Sequence, residues 1–142
     1  ADDLMGAPPL ASVLERFRLF LGDSVFVAHN VKFDYGFIDA SLQKCGFGML
    51  LNRRLCTVEL ARRTIEAQRY GLGSLKEILG VQNVHHRAFS DAVSCFEIFK
   101  FALKRLPWSV QSTEDLILFS KTAKSLALPK PQISGQDEGE IL

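Results

Sequence analysis

Apolar residues recur along the chain at two spacings, and each change of spacing marks a new element. Leu10, Val13, Leu14, Phe17, Phe20 and Leu21 return every three or four positions and stop at Gly22. That spacing predicts an amphipathic helix with a glycine at its C-terminal cap. Residues 25–28 are then a short apolar run without alternation, the pattern of a parallel strand covered on both faces. His29 and Asn30 follow where the strand should end. Asn30 is placed to cap a second helix reaching about Lys44, with Val31, Tyr35, Ile38, Leu42 and Cys45 as its inward stripe.

The second half repeats the alternation. A strand is expected around 54–56, and from Thr57 the spacing of Leu60, Ala61, Thr64 and Ile65 predicts a helix. Residues 74–79 read as a short helix with a Ser74/Glu77 capping box and Gly80 behind it. A loop carries His85 and His86. Ser90 is expected to cap a long helix whose Ala92, Val93, Phe96, Phe99, Leu103 and Leu106 share one face until Pro107 ends it. Beyond Trp108, residues 113–124 predict a separate amphipathic helix, and 129–142 have the Pro, Gly and acidic content of a loose tail. Strands alternating with helices imply an α/β sheet with parallel pairing, which binds ligands beyond the carboxyl ends of its strands. His29, Asn30 and Asp34 sit there.

Bulk properties narrow this only slightly. A chain of 142 residues, 47% hydrophobic, can bury one ordinary core. Its 17 basic and 16 acidic residues are scattered and leave a net charge of +1, too weak a field to point to nucleic acid or a membrane. Cys45, Cys56 and Cys95 lie far apart, without zinc or disulfide spacing, and read as reduced core thiols. No apolar run approaches the roughly 18 residues of a membrane helix, and the first residues lack a basic-then-apolar leader. The expectation is a cytoplasmic protein with no membrane partner.

Two acids stand out by position. Asp34 falls three residues after Val31 and four before Ile38, on the stripe its helix should bury. Taken alone it reads better as a first-turn acid favoured by the helix dipole. Asp91, directly after the Ser90 cap, reads the same way. His86, five residues earlier, is by itself an ordinary loop histidine.

Together the segments are far more specific. His29-Asn30-Val31-Lys32-Phe33-Asp34 after a buried strand, and His85-His86-Arg87-Ala88-Phe89-Ser90-Asp91-Ala92 opening a late helix, resemble in order and separation the second and third motifs of the DnaQ-like 3′-to-5′ exonucleases. The similarity is to the branch with a catalytic histidine, which includes proofreading subunits and domains of bacterial replicative polymerases. Between the two segments, Cys56-Thr57-Val58-Glu59-Leu60-Ala61-Arg62 is similar to the family's Asp-Thr-x-x-Leu-Ala-Arg stretch, with Cys56 where Asp is usual. The resemblance covers roughly residues 4–106.

It implies a ribonuclease H-like fold, with Asp34 and Asp91 as ligands of Mg²⁺ or Mn²⁺ and His86 as general base. His29, Asn30 and Phe33 would border the 3′-terminal nucleotide. His86 is preferred to His85 because the family places four residues between the base and the following acid. Two ions roughly 3.5 to 4 Å apart can stabilise both attacking and leaving oxygens of an in-line displacement, and the products would be nucleoside 5′-monophosphates. An imidazole with an ordinary pKa near 6.5 suits a base working near neutral pH.

One part of the pattern is lacking. The family's first motif, Asp-x-Glu on the first and central strand, has no counterpart here, since the acids at 137–140 follow no apolar strand. The resemblance therefore implies a domain without the first three strands of its mixed sheet. Residues 1–107 would be a partial exonuclease domain, 108–128 a helical appendage and 129–142 a flexible tail. Such a chain is expected to be inactive alone and prone to self-association. The expected partners are a single-stranded DNA 3′ end and a DNA polymerase. Alternatives are an RNA 3′-end trimming enzyme and a non-catalytic module binding nucleic acid or a polymerase. Ser125-Leu126-Ala127-Leu128-Pro129 faintly resembles short motifs that dock on bacterial sliding clamps, without their leading Gln.

Overall fold

The computed structural model describes residues 9–81 and 87–129. Its elements run α1 (Leu10–Leu21), β1 (Phe26–Ala28), α2 (Val31–Lys44), β2 (Arg54–Cys56), α3 (Thr57–Thr64), α4 (Leu72–Leu79), α5 (Arg87–Leu103) and α6 (Thr113–Thr122). The two strands pair in parallel, with Phe26 opposite Arg54, Val27 opposite Leu55 and Ala28 opposite Cys56. The helix α2 makes the crossover that parallel pairing requires. This mixed α/β arrangement is compatible with a ribonuclease H-like exonuclease domain.

The α2 stripe falls where its periodicity puts it. Val31, Tyr35 and Leu42 are buried with Leu14, Phe26 and Leu50, and Ile38 and Cys45 pack beside them. Phe17, Phe26 and Tyr35 meet edge to face in series, at centroid distances of 6.2 and 5.4 Å. The Tyr35 hydroxyl lies 2.9 Å from the Leu50 carbonyl and 2.7 Å from that of Asn52. Asn52 Nδ2 in turn donates to the carbonyls of Gly22 and Ser24. The approach to β2 is thereby pinned to the turn after α1.

Four expectations need correction. The helix α4 starts at Leu72 behind Gly71, without a side-chain cap bond, so Ser74 lies inside it and the Ser74/Glu77 capping box does not form. Leu72 and Leu75 pack into the cluster of Ala61, Tyr70 and Ile98, and this apolar contact draws the helix start toward the N-terminus. Gly80 does close α4 in the left-handed region, at φ 70°. The helix α5 (Arg87–Leu103) already includes Arg87, so Ser90 is a buried residue within it rather than its cap. Its inward face is Ser90, Ser94, Ile98 and Ala102; the two serines and the alanine are small and let α5 come close to α3 and α4, with Ile98 filling the contact. Ala92, Phe96 and Leu103 of the expected stripe are exposed among the described residues. Strand β1 is also not covered on both faces there, since Val27 keeps 37% of its surface exposed.

Beyond Pro107, Ser112 caps α6 by accepting from the Asp115 amide at 3.0 Å. The helix then packs Leu116, Ile117 and Phe119 against Leu55, Leu60 and Ala102. The following chain bonds to α3 and its C-terminal turn, Leu126 N donating to Arg62 O at 2.6 Å and Leu128 N to Ala67 O at 3.0 Å. The segment after Pro107 thus shares the core of the preceding elements. The amides of Leu126 and Leu128, in the clamp-like stretch, are taken up within the chain. The tail beyond residue 129 lies outside the described residues.

Candidate active site

A cleft of about 660 Å³ opens along β1 and past its carboxyl end, with no residue of β2 in its lining. Residues 25–28 all line it. Successive strand side chains point to opposite faces, so a cavity touched by four in a row runs along the strand's edge rather than one face. Phe17 and Leu21 of α1 form an apolar wall, and Ala88, Asp91, Ala92 and Cys95 bring in α5. Asp34 and His29 complete the polar end.

Each acid arrives by a local rule. Asn30 takes φ 67°, ψ 59°, the only non-glycine residue with positive φ among the described residues. Asparagine tolerates the left-handed region better than most side chains. That single residue turns the chain from β1 directly into α2, and Asp34 lies in the first turn. Asn30 makes no side-chain cap bond, contrary to its expected role. Asp34 is exposed to the cleft rather than buried along the α2 stripe. Asp91 is the fifth residue of α5 and outside its first turn. The helix dipole fades within that turn, so it does not account for Asp91.

His29 is held from both sides. Its Nδ1 lies 2.7 Å from Thr57 Oγ1 and its Nε2 2.7 Å from the Tyr70 carbonyl. A carbonyl only accepts, so Nε2 carries a hydrogen. Burial lowers the His29 pKa below its ordinary 6.5, partly opposed by the bond to Tyr70. The ring is therefore neutral at neutral pH, and Nδ1 accepts from the Thr57 hydroxyl. Thr57 Oγ1 also meets Cys95 Sγ at 3.5 Å. Burial raises the Cys95 pKa, against bonds to Thr57 and the His29 backbone, and the negative charge of Asp34 pushes the same way.

The fold thus brings His29, Asp34 and Asp91 to one cleft. It leaves Asn30 and Phe33 outside the lining, and Phe33 is 76% exposed on the first turn of α2. His85 and His86 lie outside the described residues. The sequence reading passed over Thr57 and Cys95. A signal existed: Thr57 follows β2 as His29 follows β1, and Cys95 stands one helical turn after Asp91. The hard oxygens of the two carboxylates suit Mg²⁺ or Mn²⁺. Among the described residues no group of three or more His, Cys, Asp or Glu is placed to hold an ion. No helix among the described residues is long and apolar enough to cross a membrane.

Comparison with known proteins agrees with this geometry. Residues 1–99 match the RNase_T family, described as Exonuclease. The chain is 42% identical over 100 residues to a DNA polymerase III PolC-type of Staphylococcus haemolyticus (strain JCSC1435), and 41% identical over 100 residues to that of Staphylococcus aureus. Each match covers 69% of this chain and 7% of the relative. The chain therefore matches only a small part of the length of these curated relatives.

Proposed function

The chain belongs to the RNase_T exonuclease family, the DnaQ-like exonucleases, and from that membership we propose a metal-dependent 3′-to-5′ exonuclease acting on DNA 3′ ends alongside a DNA polymerase. One observation carries the reading. Asp34 and Asp91, far apart in sequence, face one cleft that runs along β1 and past its carboxyl end, beside a fixed histidine. The names of the PolC-type relatives favour DNA over RNA.

Asp34 and Asp91 would hold Mg²⁺ or Mn²⁺, which when bound neutralises phosphate charge and lowers the pKa of water. The remaining work falls to the chain's own groups. His86 takes the proton of a water whose oxygen bonds to phosphorus as the phosphorus–O3′ bond breaks; the O3′ of the shortened strand takes up a proton from solvent, and a nucleoside 5′-monophosphate leaves. Phe33, exposed one residue before Asp34, offers a ring on which the terminal base can stack, and Asn30 stands beside it at the helix entrance. His29 turns both ring nitrogens inward and holds the strand end in place.

Two carboxylates do not satisfy two ions, so hydrolysis calls for the Asp-x-Glu pair in addition. The test joins to this chain a segment carrying the family's Asp-x-Glu motif and supplies Mn²⁺ with 5′-labelled single-stranded DNA or matched RNA. Stepwise shortening of DNA from its 3′ end is expected. It should be abolished by Asp34→Asn and slowed roughly a hundredfold or more by His86→Ala, with His85→Ala milder. Faster shortening of RNA would reassign the substrate. Strand binding without shortening would favour a non-catalytic module.

A further inference from the structure

We propose that Thr57 is a positioning residue of this site, its hydroxyl tying the strand end before Asp34 to the helix that carries Asp91. The inference rests on the metal-binding reading of the two acids and adds a residue that controls their separation. Ala28 pairs with Cys56, so His29 and Thr57 are the next residues in register on two parallel strands. Their side chains meet there at 2.7 Å.

The protons along the chain of bonds are dictated by the partners. His29 Nε2 donates to Tyr70 O, His29 Nδ1 accepts from the Thr57 hydroxyl, and the Thr57 oxygen accepts from the Cys95 thiol. Cys95 follows Asp91 by four residues and lines the same cleft, so both lie on one face of α5. One hydroxyl therefore joins a residue five before Asp34 to a residue one turn after Asp91. Nothing else about position 57 calls for threonine. It opens α3 without acting as a cap, and its helix propensity is mediocre. It is only 1% exposed, so its hydroxyl must find partners inside the protein, and His29 and Cys95 are those partners.

Thr57→Val keeps the shape and removes the bonds, whereas Thr57→Ser keeps the hydroxyl. Nitrogen-15 NMR of the full chain reads both halves of the inference. The His29 imidazole signals report whether Nδ1 still accepts, and broadening of the Asp34 and Asp91 amides by added Mn²⁺ reports metal held between them. The wild type should show one protonated and one bonded, unprotonated ring nitrogen, and both amides should broaden over the same Mn²⁺ range. Losing a group bonded directly to a metal ligand costs about ten- to a hundredfold in affinity; Thr57 stands one contact further out, so Thr57→Val should shift that range upward by about tenfold, and Thr57→Ser should restore it. A purely structural role would lower the melting temperature without moving the Mn²⁺ range. An unchanged Mn²⁺ range in a folded Thr57→Val protein would overturn the inference. Should that variant not fold, Cys95→Ala cuts the same link from the α5 side and is judged by the same readouts. Wild-type amides indifferent to Mn²⁺ would overturn the metal reading itself, and the imidazole signals would separate that failure from loss of the bonded network.

Discussion

Replacing Asp34 or Asp91 by asparagine removes one negative charge from the cleft while leaving shape and volume nearly unchanged. Both side chains are exposed and neither supports the core, so melting temperatures without divalent ions should fall little, or rise as like charges are relieved. Mn²⁺ binding, followed by calorimetry, should be lost in either variant, and wild-type binding by both would remove the assignment. His29 predicts a pH effect. Its folded pKa is lowered by burial while the unfolded value stays near 6.5, so the unfolded chain binds more protons in that range. The stability tied to neutral His29 is present above about pH 6.5 and is lost as pH falls through the lower folded value. Thermal melts from pH 7.5 to pH 5 should therefore decline more steeply in the wild type than in His29→Gln.

At the scale of elements, α5 and α6 make opposite predictions for the same substitution. Ser94 is completely buried on the inward face of α5, and its Oγ has no hydrogen-bond partner among the described residues. An unpaired buried hydroxyl costs roughly 1 to 3 kcal/mol, so Ser94→Ala should stabilise the protein. Ser112, by contrast, caps α6 through the Asp115 amide, and Ser112→Ala should destabilise by about 1 kcal/mol. Urea denaturation of the two variants distinguishes them by the sign of the midpoint shift.

For the whole molecule, the packing of α6 decides how the chain divides. Leu55, Leu60 and Ala102 are covered by Leu116, Ile117 and Phe119, and Arg63 Nε donates to Ala123 O at 2.8 Å. A version ending at Pro107 would expose that cluster and free those bonds. It should lose cooperative thermal unfolding, seen as a broadened calorimetric transition. A sharp transition at an unchanged temperature would show that residues beyond 107 contribute little to the stability of the preceding elements.

Much of this architecture was legible in the one-dimensional pattern. The α2 stripe, the strand at 54–56 and the glycine stop after α4 depend on near neighbours, and near neighbours are written in the sequence. The motif pair at 29–34 and 85–92 was enough to point to the family, because it combines residue types rarely found together at those spacings. The starts of α4 and α5 were misplaced because tertiary contacts outweighed local caps: Leu72 found an apolar cluster, and Ser90 found a buried helix face. The register of β1 on β2 was beyond any local pattern, since pairing depends on residues some 28 positions apart. That register sets His29 against Thr57 and, through Cys95, links the two acid-bearing helices. The sequence by itself pointed to the candidate acids through their spacing, whereas the convergence of His29, Asp34 and Asp91 on one cleft was decided by the parallel pairing and by the buried face that brings α5 close.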